Sequence, residues 1–75
     1  MNKKRQLTAI IEKKDKAYTA LCPELDIASQ GESIEKARNN LQQAVELFLE
    51  TADSGEVERR LHDEIFITVL EVSVG

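Results

Sequence analysis

Between Ser33 and Ala52 apolar residues recur at helical spacing. Ile34, Ala37, Leu41, Ala44, Val45, Phe48 and Ala52 fall on one stripe, and Glu35, Lys36, Asn39, Gln43, Glu46 and Glu50 lie opposite. Ser33 is a suitable N-cap, and Glu35 sits in the first turn, where the positive end of the helix dipole favours an acid. The capping box is incomplete, because Lys36 occupies the slot that Glu or Gln would fill. Leu47 lies off the stripe, Leu49 sits at its margin, and "DSG" at 53–55 ends the helix. A helix with one apolar stripe needs one surface to pack against, and the segments before and after it read as strands.

"QLTAIIEK", residues 6–13, is rich in β-formers, with Leu7, Ala9 and Ile11 on one face and Thr8, Ile10 and Glu12 on the other. "KKDK" supplies a polar turn into "AYTALC", where Tyr18, Ala20 and Cys22 share one face and Ala17, Thr19 and Leu21 the other. So short a connection favours an antiparallel hairpin. Pro23 has no N–H to donate and should end the strand. "ELDIASQ", residues 24–30, resumes as a third strand that Gly31 terminates. The charged segment "EVERRLHDE" reads as a loop or a short helical turn. Beyond it "IFITVLEVSV", residues 65–74, has the strongest strand character in the chain. Ile65, Ile67 and Val69 lie on one face, and Phe66, Leu70, Val72 and Val74 on the other. Strands covered on both faces have this pattern. The expectation is an α+β domain: a three-stranded antiparallel meander, one long crossover helix and one further strand (β-β-β-α-β).

At 75 residues the chain makes one domain, spanning 1–75. Domains of this size bury only about 60% of their unfolded surface, and commonly add a disulfide, a metal or a partner. The one cysteine, Cys22, closes no internal disulfide, and Cys22 and His62 are the only soft metal ligands. A partner subunit is the remaining remedy. No run of about 18 apolar residues exists to span a membrane. "MNKKRQL" lacks the apolar stretch of a signal peptide, and a free thiol suits a reducing compartment; both suggest a cytoplasmic protein. The net charge of −4 is split: residues 1–16 carry six bases and two acids, the rest four bases and twelve acids. An acidic body of this kind suits a basic partner, whose approach it would speed and orient.

Candidate chemistry is sparse. Cys22 as a nucleophile would need a neighbouring base, and the pattern supports a small buried strand residue instead. His62 reads as a solvated connector residue. Glu12, Asp15, Glu24 and Asp26 cluster around the hairpin and the turn after it, the residue type used by metal-dependent nucleases, but without diagnostic spacing. The glycines form no phosphate-binding loop, and the basic N-terminal stretch lacks interleaved aromatics. No catalytic residue, cofactor or metal ligand is assigned, and no sequence-specific nucleic-acid binding is expected.

"LTAIIEKKDKAYTALCPELDIASQGESIEKARNNLQQAVELFLE", residues 7–50, resembles the HicB-like antitoxin family. The resemblance lies in a first strand and polar hairpin, then "Y-x-A-x-C-P-E-L" from Tyr18 and a short strand closing on "S-Q-G". "S-I-E-x-A" from Ser33 then opens an amphipathic helix ending in "L-E". It implies a degenerate ribonuclease H-like fold and a protein-binding role, not an enzymatic one: masking HicA, a small basic RNA-cleaving toxin. Many full antitoxins carry a second, DNA-binding domain; with Gly75 as the last residue, none is expected here. Tyr18, Glu24 and Asp26, beside the helix start, are the expected partner-binding residues. A homodimer is expected through Ile65, Phe66, Ile67, Val69, Leu70 and Val72, with Leu47 adding helix surface. The alternatives are a small metal-dependent nuclease acting through the hairpin carboxylates, and a housekeeping oligomer with no toxin partner.

Overall fold

A computed structural model describes residues 5–62 and 64–75. Three strands, β1 (Ile10–Lys14), β2 (Ala17–Cys22) and β3 (Ile27–Gly31), are followed by two helices, α1 (Ile34–Thr51) and α2 (Ser54–Arg60). The strands form one antiparallel sheet in the order β1-β2-β3. Lys14 pairs with Ala17 across a two-residue connection, so Asp15 and Lys16 make the hairpin turn. Asp15 takes the left-handed region there (φ 58°), which Asp tolerates better than most residues.

The helix covers one face of the sheet, and the strand alternation meets it as the pattern requires. Ala20 and Cys22 of β2 are buried, Tyr18 is half-buried, and Ala17 and Leu21 on the opposite face are exposed. Ala37 and Leu41 of α1 complete a small buried core with Leu25, around which Leu7, Ile11, Tyr18, Ile27, Val45, Phe48 and Leu61 pack. Ser33 caps α1 by accepting from the Lys36 N–H at 3.1 Å. Ile34, expected on the buried stripe, is instead 56% exposed, whereas Ala37 in the same first turn is fully buried. Gly31 permits the close approach of β3 to that turn: a Cβ there would lie 2.5 Å from the Ala37 nitrogen and 2.8 Å from the Lys36 carbonyl carbon.

The charged segment resolves to the helical alternative. Ala52 ends α1, its N–H donating to the Phe48 carbonyl at 2.8 Å. Asp53 at once caps α2, its carboxylate accepting from the Glu56 N–H at 2.7 Å. Glu56 lies in the first turn, and Arg59 and Arg60 lie in the last, as the helix dipole favours.

Three expectations on strands need correction. Regular pairing in β1 begins at Ile10, not residue 6. Extending the register would place Thr8 opposite Pro23, which has no N–H, and the Thr8 N–H goes instead to a side chain. β3 begins at Ile27, not residue 24: residues 23–26 form a turn in which Leu25 is wholly buried and Asp26 takes a left-handed φ of 56°. The fourth strand expected over 65–74 is not formed; these residues carry neither strand nor helix. Phe66, Ile67, Val69, Leu70, Val72 and Val74 are all exposed, while Ile65 is half-buried. The segment pairs with neither open edge of the described sheet, so its strand pattern is left unsatisfied. Each such side chain forgoes about 1.5–3 kcal/mol of burial.

Gly31→Ala should lower stability by about 1–3 kcal/mol, since backbone atoms must give way. Gly55→Ala, whose Cβ would meet only side-chain atoms at 3.4 Å inside a helix, should be neutral or stabilise by up to about 1 kcal/mol. Urea unfolding followed by circular dichroism checks both; equal effects would contradict the packing described.

Candidate functional site

The turn at 23–26 gathers more polar contacts than any other described part of the chain, and it contains two of the expected partner-binding residues. Glu24 is buried. Its carboxylate accepts from the Thr8 N–H, 3.0 Å from each oxygen, and from the Thr8 hydroxyl at 2.6 Å. The Cys22 thiol lies 3.5 Å from the same carboxylate and donates to it. The backbone of the turn is held from the other side. The Glu24 carbonyl accepts from the His62 N–H at 2.7 Å. The Arg60 guanidinium donates to the carbonyls of Leu25 (3.0 Å) and Asp26 (3.2 Å), and stacks 5.0 Å from the Phe48 ring centroid.

This geometry explains the electrostatics. Burial pushes the Glu24 carboxyl up, but the hydroxyl and amide of Thr8 outweigh it and hold the group below its ordinary value. Burial, with the carboxylate beside it, raises the Cys22 thiol. A thiol that is 1% exposed and held protonated is a poor nucleophile, which agrees with reading Cys22 as a core residue.

The expected partner-binding trio is therefore divided. Glu24 faces inward and is occupied by Thr8, so it is a structural residue. Asp26 is exposed on the turn. Tyr18 is half-buried on β2, paired with Gly31, with the Lys13 ammonium 5.9 Å from its ring centroid. The hairpin carboxylates do not converge. Asp15 lies in the turn before β2 and Glu24 and Asp26 beyond its other end, about 17 Å along a six-residue strand, while Glu12 stands opposite Thr19 between them. Among the described residues no group of three or more His, Cys, Asp or Glu is placed to hold a metal ion.

Two features were not foreseen. Leu25 is the largest side chain with no exposure, although it sits in a turn. Its signal was the run Cys22-Pro-Glu-Leu25, in which an apolar residue directly follows the strand end. The second is a groove of about 560 Å³ between the lead-in to β1 (residues 5–9) and α1. Its floor holds Leu7, Cys22, Leu41, Val45 and Leu49, and Arg38 and Glu46 lie among its polar borders. Leu47, expected at a dimer contact, is exposed on α1 but does not line this groove.

No family model, curated protein or solved structure matches the chain.

Glu24→Gln should cost about 1–3 kcal/mol at pH 7, because a charge-assisted acceptor is replaced by a neutral one in a buried site. The folded-state carboxyl lies below its ordinary value of 4.5, so its contribution is complete above that pH and is lost as pH falls through the folded-state value. Urea midpoints of the two proteins should therefore differ at pH 7 and converge as the pH falls well below the ordinary carboxyl value. A gap that widened on acidification would show that the carboxylate is not held in its charged form.

Proposed function

We propose that this chain is an antitoxin-like protein-binding module that masks a small basic RNA-cleaving toxin of the HicA type, on a degenerate ribonuclease H-like framework. The observation that carries the proposal is the acidic charge of the body, twelve acids against four bases over residues 17–75. Glu32, Glu35, Glu46, Glu50, Asp53 and Glu58 are all exposed; the four bases, Lys36, Arg38, Arg59 and Arg60, are exposed on the helices, and Lys13, Lys14 and Lys16 lie at the far hairpin. A basic partner is attracted by the net charge of the body and repelled by the hairpin, which gives the encounter a preferred orientation. The order of three antiparallel strands and a helix over residues 10–51 is compatible with the HicB-like resemblance. The exposed carboxylate of Asp26 extends the acidic surface past the β2–β3 turn.

The competing nuclease reading needs carboxylates that meet at one point, and those of this hairpin and turn stand apart. Incubated with Mg²⁺ or Mn²⁺, the purified protein should leave RNA and DNA intact; metal-dependent cleavage abolished by Asp26→Asn would overturn the proposal. The binding test starts from the neighbouring reading frame, which should encode a short basic protein with a single central histidine. That protein should cleave RNA, and this chain should bind and inhibit it. Glu46→Lys combined with Glu50→Lys should weaken binding at least about tenfold, and raised salt should slow association. Inhibition unaffected by both changes would remove the electrostatic basis of the reading.

A further inference from the structure

The chain exposes far more surface than its mass calls for. A compact monomer of 8.4 kDa should show about 4,600 Å², and this one shows 6,684 Å². Its radius of gyration is 14.5 Å, against about 11 Å for a compact domain of this length. Much of the apolar part of the excess lies in residues 65–74, where six large apolar side chains are 66–92% exposed.

The same chain carries a vacancy that matches this segment. The outer edge of β1 has no neighbour in the sheet, and the groove between the β1 lead-in and α1 opens beside it. The edge is guarded unevenly. Lys13, Lys14 and Lys16 protect the hairpin end, as lysines protect natural edge strands. Residues 7–11, beside the groove, read Leu-Thr-Ala-Ile-Ile and carry no charge.

We propose that two copies exchange these segments: residues 65–74 of one protomer add as a strand to the β1 edge of the other, and the reverse, about a two-fold axis. The occupant is a second copy because the exposed segment and the unfilled edge belong to one chain, and mutual exchange satisfies both in each copy. The excess area also suffices, since a standard interface needs only about 800 Å² per partner. Alternation sets the orientation. Phe66, Leu70, Val72 and Val74 face the groove and meet Leu41, Val45 and Leu49. The other face carries Ile65, Ile67 and Val69 and ends in Glu71 and Ser73; only its C-terminal end suits solvent, and it is the more polar of the two faces. The inference stands apart from the toxin reading, because it uses neither the acidic charge of the body nor the HicB-like resemblance.

Light scattering at micromolar concentration should give twice the chain mass. In a sample mixed from ¹⁵N-labelled and ¹³C-labelled protein, NOEs between copies should join residues 65–74 to residues 7–11. Leu70→Glu should weaken dimerisation at least about 100-fold. Ser73→Glu, on the solvent face, should change it less than about threefold. Circular dichroism of each variant guards against unfolding, and the NOE pattern of the wild type tests the exchange even if Leu70→Glu does not fold. A monomer, a dimer without these NOEs, or NOEs confined within one copy would each overturn the proposal.

Discussion

The contact on which the described structure most depends is the burial of the Glu24 carboxylate against Thr8. The β1–β2 ladder runs out where the register meets Pro23, and an orphaned N–H would remain on Thr8. Glu24 supplies the missing acceptor from a side chain. A buried backbone donor without a partner is costly, and a buried carboxylate without donors more so. Here each satisfies the other, and no buried side-chain nitrogen or oxygen among the described residues lacks a partner. The strand end, the β1 lead-in and the turn are thereby fixed as one unit.

That unit in turn positions the helices' C-terminal connection. Arg60 reaches back from α2 to two carbonyls of the turn and covers the Phe48 ring on α1, while the His62 amide closes on the Glu24 carbonyl. Arginine suits this place because its planar fork can donate and stack at once, which a lysine could not. The chain therefore leaves the body beside Thr8, at the unguarded end of the β1 edge. The direction in which residues 64–75 set out follows from polar contacts made by a turn, not from any property of the segment itself.

How much of this was legible in the sequence depends on whether a residue's environment is local. The helix, its Ser33 cap, the hairpin and the facing of Ala20 and Cys22 follow from spacing, because cap chemistry and strand alternation act over a few residues. For a different reason Glu24, expected at the surface, is buried, and the burial of Leu25 was not foreseen. A turn normally lies at the surface, and only the long-range bonds from Thr8, Arg60 and His62 draw this one inward. Residues 65–74 show the opposite failure. Their apolar pattern on both faces predicts a buried strand, which the structure does not form: pattern carries no information on whether an edge provides the neighbour.

The size of the core explains why such contacts matter. Among the described residues the buried apolar ones are Ala20, Cys22, Leu25, Ala37 and Leu41. Three of these are small, so hydrophobic burial alone gives a chain of this length little margin over its conformational entropy. Polar ties at the 23–26 turn add order without adding volume. They cannot supply the remaining apolar burial, because the groove beside α1 has no residue left in the described body to fill it. The unburied segment at 65–74 holds six of the large exposed apolar side chains among the described residues, and its removal from water would be worth most where it also completed the β1 edge. Core size, edge and segment thus bear on one another: pairing of that edge by this segment, as proposed above, would answer the shortage of burial and the open strand together.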